Sequence, residues 1–187
     1  MKTFAELDAK ICSCTNALTA KLEGTNGKRA ILLCGGTGCL SSNSMDIKKK
    51  FDELVSANDL GDKVTVNTVG CFGFCSQGPF VKILPEDTLY RLVKLEDVEE
   101  IFQTDILGGQ IVDRLLYVEP LTGEKVVRQD EINFYKKQRR IALHGGGVID
   151  PEDINEAMGY GAFQGLKKAL GMERQDVINE KIGRAHV

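Results

Sequence analysis

The sequence has no long apolar run and little net charge, and each shortage removes a class of function. No stretch of its 187 residues approaches the roughly 18 consecutive apolar residues that a membrane-spanning helix needs. The 24 basic and 27 acidic residues leave a formal net charge of −3, which provides no dedicated surface for nucleic acid or a membrane. The segment Met1 to Lys10 carries acidic residues where a signal peptide is apolar. We therefore expect a cytoplasmic protein with no direct membrane insertion.

Cysteine is the chemically informative residue type, with six in the chain. In a reducing cytoplasm, cysteines serve as metal ligands or redox groups more often than as disulfides. Four of them form two spaced pairs, Cys34-x4-Cys39 and Cys71-x3-Cys75, and glycines surround both pairs. Glycine allows the backbone to come close to a bound group. The two pairs are therefore the candidate site.

The hydrophobic pattern predicts a compact α/β unit around these pairs. Apolar residues at alternating steps of three and four predict a helix that ends before Gly24. The order that follows is strand, helix, strand, hairpin and helix, closing at Gly108-Gly109. Cys34 follows the first strand and Cys71 the second. Cys12 and Cys14 lie in the first helix, where the apolar stripe includes Cys14, so we assign both to packing.

Beyond this unit, the pattern is weaker and predicts smaller elements. Leu116 to Val127 is typical of a short hairpin, and Asn133 to Leu143 is a basic segment with helical character. Asp150-Pro151 has the composition of a helix start, with Asp150 as N-cap and Pro151 in the first turn. His144-Gly145-Gly146-Gly147 lacks the spacing of a nucleotide-binding loop and is interpreted as a turn.

Four thiolates from two loops favour an iron–sulfur cluster, and two alternatives remain open. A structural zinc site also uses cysteine pairs separated by a few residues, and would make the chain a zinc-stabilised interaction module. A thiol redox protein is the second alternative, although neither pair has the C-x-x-C spacing typical of that class. A Rieske centre is excluded because it needs two histidines, and His144 and His186 are both remote from the cysteine loops in the sequence.

The first part of the chain resembles the thioredoxin-like 2Fe-2S ferredoxin family, which includes the 24-kilodalton-type subunit of respiratory complex I and related hydrogenase subunits. The resemblance covers about Arg29 to Gly108. It implies a thioredoxin-like α/β domain that transfers electrons through a 2Fe-2S cluster and contains no catalytic residue. The implied cluster ligands are Cys34, Cys39, Cys71 and Cys75. The matching features are Cys34-x4-Cys39, Val69-Gly70-Cys71-Phe72-Gly73-Phe74-Cys75, Gly78-Pro79 and Tyr90.

The second part of the chain resembles the opening of the flavin-binding, 51-kilodalton-type subunit of complex I. The matching segments are Asn133 to Gln138, Gly147 to Ile154 and Gly159 to Ala162. Such a fusion resembles the diaphorase subunit of bacterial NAD(P)-linked iron hydrogenases, including the electron-bifurcating ones. The resemblance implies a partial, mostly helical segment of an NAD(P)H:acceptor oxidoreductase subunit whose partners are other subunits of the complex. FMN, NAD(P) and further iron–sulfur clusters are expected only in a missing remainder.

The expected organisation therefore has four parts. The ending from Ile182 to Val187 departs from the family and looks like translated sequencing adaptor, which predicts a longer natural chain. The expected parts are an N-terminal helix at 1–27, the ferredoxin domain at 28–110, the incomplete flavoprotein start at 111–181 and a non-native tail at 182–187.

Overall fold

The computed structural model describes residues 3–182, and residues 183–187 of the expected foreign tail lie outside the described residues. Within the described range, no helix has both the length and the apolar composition needed to cross a bilayer. The strands are β1 (Arg29–Cys34), β2 (Val64–Val69), β3 (Val81–Leu84), β4 (Thr88–Tyr90), β5 (Tyr117–Val118) and β6 (Lys125–Val126). The helices are α1 (Phe4–Glu23), α2 (Thr37–Leu40), α3 (Ser44–Ala57), α4 (Val98–Ile101), α5 (Asn133–Lys136), α6 (Ile154–Gly159), α7 (Gln164–Leu170) and α8 (Arg174–Ile182).

Four strands form the central sheet, in the order β2-β1-β3-β4. β1 and β2 are parallel, with Arg29 opposite Val64 and Cys34 opposite Val69. β3 is antiparallel to both β1 and β4, which confirms the predicted hairpin. Because the carboxyl ends of parallel strands meet at one edge of a sheet, the loops after β1 and β2 begin side by side. The predicted α/β architecture is confirmed.

Both faces of β1 are buried, as its continuous apolar run predicts. Alternate side chains point to opposite faces of a strand, so Ile31 and Leu33 pack with Phe51 of α3 in one cluster. Leu32 and Cys34 pack on the other face in a second cluster that also contains several aromatic side chains. The cysteine site is therefore continuous with the second cluster, because Cys34 belongs to both.

The chain after the sheet packs back onto β4. The amide of Leu89 donates to the Val127 carbonyl at 2.9 Å, and the amide of Arg91 donates to the Leu115 carbonyl at 2.9 Å. β5 pairs with β6 as an antiparallel ribbon, which confirms the hairpin predicted between Leu116 and Val127. These contacts continue the sheet edge with backbone hydrogen bonds.

Two predicted features of the second part are wrong. The helix expected at Asp150 begins instead at Ile154, with Asp153 as its N-cap. The reason is local, because the Asp150 carboxylate accepts the Glu152 amide at 2.9 Å and forms a turn. The basic segment expected to be helical from Asn133 to Leu143 is helical only over α5.

A buried hydrogen-bond network joins β1, β4 and the segment after α4. The Tyr90 hydroxyl donates to Asp105 Oδ2 at 2.5 Å and accepts the Val112 amide at 3.1 Å. Arg29 Nη2 donates to Asp105 Oδ1 at 2.6 Å. Burial, reinforced by Asp105, raises the pKa of Tyr90, so its hydroxyl stays protonated and can donate.

We expect Tyr90→Phe to lower the free energy of unfolding by about 1–3 kcal/mol, because it leaves a buried carboxylate oxygen and a buried amide without their partner. Urea denaturation followed by far-UV circular dichroism measures this difference. An unfolding free energy within about 0.5 kcal/mol of wild type would show that the network contributes little to stability.

Candidate metal centre

The four predicted site cysteines lie at one end of the central sheet. Cys34 is the last residue of β1, and Cys39 follows in the short helix α2. Cys71 comes two residues after the end of β2, and Cys75 begins a 3-10 turn that ends at Gln77. Parallel pairing of β1 and β2 therefore brings the two loops together.

The sulfur atoms within and between the loops lie close to one another. Cys71 Sγ and Cys75 Sγ are 3.9 Å apart. A Cβ atom placed on Gly36 would lie 3.0 Å from Cys71 Sγ and 3.5 Å from Cys34 Sγ, so both sulfurs approach the same glycine. Cys34 and Cys39 interact directly through their side chains. All four predicted residues thus belong to one sulfur group.

Gly78 lies against this group from the side of β3. A Cβ atom at this position would lie only 2.6 Å from Cys39 Sγ, which is closer than non-bonded atoms approach. The Gly78-Pro79 peptide bond is cis. Because of this close approach, any residue larger than glycine at position 78 would displace the Cys39 sulfur.

Backbone N–H groups point at the cysteine sulfurs. The Gly73 amide donates to Cys71 Sγ at 3.3 Å. The pKa of Cys34 is lowered to about 6, chiefly by the neighbouring Cys39 side chain, with the amides of Phe72 and Gly36 adding to this effect and burial opposing it. Cys34 is thus held as a thiolate near neutral pH.

Cys39 and Cys71 hold their protons more tightly than a free cysteine, because the pKa of each thiol is raised. The Cys34 side chain raises the pKa of Cys39, and burial raises the pKa of Cys71. Four converging thiols cannot all ionise together without a positive centre to balance their charge. Binding of iron supplies that charge and releases the protons, so this donor set fits an iron–sulfur cluster.

The arrangement is less suited to one metal ion. Four sulfurs around a single zinc, each about 2.3 Å from it, would all lie within about 3.8 Å of one another. Across residues 3–182, no three Cys, His, Asp or Glu side chains are placed to share one ion. A diiron cluster differs because each iron needs only two protein sulfurs, with inorganic sulfide completing its coordination. The geometry therefore favours a centre that takes two protein sulfurs per metal over a single ion that takes all four.

Burial of the four cysteines is uneven. Cys34 and Cys39 are buried, Cys71 is half-buried and Cys75 is exposed. Phe74, which lies between the last two, stacks on Phe134 with ring centroids 4.1 Å apart. One side of the sulfur group is consequently closed by protein, and the Cys75 side opens to solvent.

The remaining two cysteines lie apart from this group. Cys14 is buried and its Sγ contacts Asn155 Oδ1 at 3.8 Å, which confirms its predicted packing role. Cys12 is exposed, and its Sγ accepts from Asn16 Nδ2 of its own helix at 3.9 Å, so the packing prediction is wrong for this residue. Its position just outside the apolar stripe explains the difference.

The loop from His144 to Gly147, for which the sequence predicts only a turn, contacts the Cys71 loop. The Gly147 amide donates to the Gly70 carbonyl at 2.9 Å. A Cβ atom on Gly146 would lie 2.5 Å from the Cys71 carbonyl oxygen, so only glycine fits there. The two loops and α6 enclose a largely apolar cavity of about 370 Å³ beside Cys71. The run of three glycines marks this loop in the sequence, but it does not indicate which residues the loop contacts.

Comparison with known proteins places the first part of the chain in a well-defined group. The family model described as thioredoxin-like 2Fe-2S ferredoxin matches residues 22–104. A 2Fe-2S ferredoxin of Clostridium pasteurianum is 47% identical over 77 residues, which are 41% of this chain and 76% of the relative. A 2Fe-2S ferredoxin of Aquifex aeolicus is 34% identical over 79 residues, which are 42% of this chain and 71% of the relative.

A solved structure of a thioredoxin-like 2Fe-2S ferredoxin from Aquifex aeolicus also matches, with 28% identity and a TM-score of 0.44. The match covers 47% of this chain and 94% of that chain. The family model spans the four strands of the central sheet and all four of the converging cysteines.

We expect Cys39→Ser and Cys71→Ser to lose most of the bound iron and acid-labile sulfide, whereas Cys12→Ser retains wild-type amounts. A serine hydroxyl is a harder and more weakly acidic ligand than a thiol, and Cys12 lies outside the sulfur group. Iron and sulfide assays on anaerobically purified protein measure the difference. Equal losses in all three variants would refute the ligand assignment.

Proposed function

The chain belongs to the thioredoxin-like 2Fe-2S ferredoxin family, and on this basis we propose that Cys34, Cys39, Cys71 and Cys75 hold its 2Fe-2S cluster. Ferredoxin-type electron transfer is the function that this family membership supports. The convergence of the four sulfurs on one end of the sheet is the observation that carries the ligand proposal.

The contacts also support a pairing of the ligands. Cys34 with Cys39 and Cys71 with Cys75 are the two pairs that lie within one loop each and touch through their side chains. We assign one pair to each iron, because a 2Fe-2S cluster takes two protein sulfurs per iron. When bound, the cluster supplies one-electron chemistry. Cys34 and Cys39 would then hold one iron on the buried side, and Cys71 and Cys75 would hold the other on the more exposed side.

The protein shell has two functions in this proposal. Amides of the Gly36 and Phe72 to Gly73 region direct partial positive charge at the sulfurs, which stabilises negative charge there. The exposed side, at Cys75, gives a redox partner access to the cluster, whereas burial of Cys34 and Cys39 limits water. Electron exchange is therefore expected across the Cys75 side.

The wider function that we propose is electron relay within an NAD(P)H-linked oxidoreductase, such as an NADH dehydrogenase or a hydrogenase diaphorase. Its support is the resemblance of Asn133 to Gln138 and Gly147 to Ile154 to the start of a flavin-binding subunit. The contacts of Gly146 and Gly147 with the Cys71 loop add support, because they join that segment to the sulfur group. Other subunits of such a complex, in the cytoplasm, would be the partners.

This proposal divides the chain by role. The ferredoxin domain occupies 28–110 after an N-terminal helix, and the start of the flavoprotein subunit occupies 111–181. The proposal assigns no FMN, NAD(P) or further cluster to residues 3–182. The chain itself then only relays electrons.

Anaerobically purified protein is expected to be brown and to contain iron and acid-labile sulfide in equal amounts, about two of each per chain. The measurement is a visible spectrum combined with metal and sulfide analysis on one preparation. Colourless protein with stoichiometric zinc would instead establish the interaction module. Metal-free protein with a reversible disulfide would establish the thiol redox protein.

We further expect dithionite to bleach the visible spectrum while NADH and NADPH leave it unchanged, because the proposal assigns no nicotinamide or flavin site to residues 3–182. Anaerobic titration in a sealed cuvette provides the measurement, and adding a catalytic flavoprotein diaphorase with NADH serves as the positive control. Direct bleaching by either nicotinamide alone would contradict the division of roles.

A further inference from the structure

The Tyr135 hydroxyl is a buried polar group that has no hydrogen-bond partner anywhere in residues 3–182. Buried hydroxyl groups in native proteins are almost always hydrogen-bonded, because leaving one unpaired in the interior is unfavourable. Tyr135 lies in α5, outside the segment that matches the ferredoxin family. Its hydroxyl therefore requires a partner that residues 3–182 do not supply.

The tyrosine ring is fixed against the loop that carries Cys71 and Cys75. It meets the ring of Phe74, which lies between these two cysteines, in an edge-on contact with centroids 6.1 Å apart. The ring of Phe134 contacts it edge-on at 5.3 Å. These aromatic contacts define the ring orientation, so the hydroxyl has little freedom to turn towards solvent.

Arg140 holds the opposite side of the tyrosine. Its guanidinium carbon lies 5.6 Å from the Tyr135 ring centroid, within the range of a cation–π contact. Arg140 Nη1 also donates to the Phe72 carbonyl at 3.2 Å and to the Gly146 carbonyl at 3.2 Å. The arginine thereby ties α5, the Cys71 loop and the glycine loop into one unit around the tyrosine.

The electrostatics place the phenol in the field of the site cysteines. Burial is the main cause that raises the pKa of Tyr135, and Arg140 opposes it. Cys34, Cys71 and Cys39 raise it further, and the Tyr135 ring packs against the apolar cluster that contains Cys34 and Cys39. The phenol stays protonated and is available as a donor.

We propose that the Tyr135 hydroxyl donates a hydrogen bond to a sulfur atom of the bound 2Fe-2S cluster, either a cysteine sulfur or a bridging sulfide. The inference rests on the proposed function, because it needs the cluster to be present. A donor to sulfur stabilises the more negative, reduced state and makes the reduction potential less negative. The second part of the chain thus tunes the redox centre of the first part.

Tyr135→Phe removes only the hydroxyl and keeps the ring that packs on Phe74. We expect the one-electron reduction constant of the cluster to fall by about tenfold, a negative shift of about 59 mV. Redox titration of the full chain, followed by the visible spectrum, measures the shift. Tyr160→Phe is the matched control, because the Tyr160 hydroxyl already donates to the His144 carbonyl at 3.1 Å.

Resonance Raman spectroscopy in H₂O and D₂O provides a second readout that a purely structural role would not move. We expect an isotope shift of iron–sulfur modes in wild type and in Tyr160→Phe, and a smaller shift in Tyr135→Phe. An unchanged potential with an unchanged isotope shift would overturn the inference, and so would a folded Tyr135→Phe protein that loses its cluster. Wild-type protein without any cluster would instead overturn the proposed function itself.

Discussion

The parallel pairing of β1 with β2 is the constraint on which the site depends. It sets Cys34 opposite Val69, so the loop carrying Cys39 and the loop carrying Cys71 start from adjacent strand ends. A strand-register slip of one residue would turn the side chains to the other face of the sheet. β1 is held at the centre of the sheet by burial on both faces, because every residue from Ala30 to Cys34 is buried. Hydrophobic packing of the sheet is therefore what positions the sulfur chemistry.

The sulfur group connects this core to the second part of the chain. Cys34 belongs to the apolar cluster below the site, while Cys71 lies under the loop that contains Gly146. Arg140 links the same loop to α5. The elements around the sulfurs thus come from the ferredoxin-like sheet on one side and from the segment after β6 on the other.

Sequence patterns predicted the elements that have a strong local signal. The buried run before Cys34, the amphipathic stripe of α3 and the hairpin of β3 and β4 each follow from periodicity within a few residues. The convergence of the two cysteine pairs followed from strand order. The contact between the glycine loop and Gly70 could not be predicted from local sequence patterns, because it joins residues that are far apart in sequence. Tyr135 carried no sequence signal as a site residue, and it was identified only from its buried, unpaired hydroxyl.

Electron paramagnetic resonance of the reduced protein tests the central claim most directly, namely that the two cysteine loops hold one diiron centre. After one-electron reduction, antiferromagnetic coupling between the two irons should produce a signal that integrates to one unpaired electron per two irons. Iron that gives only the signal of isolated high-spin ferric ions, or gives no signal after reduction, would contradict the account.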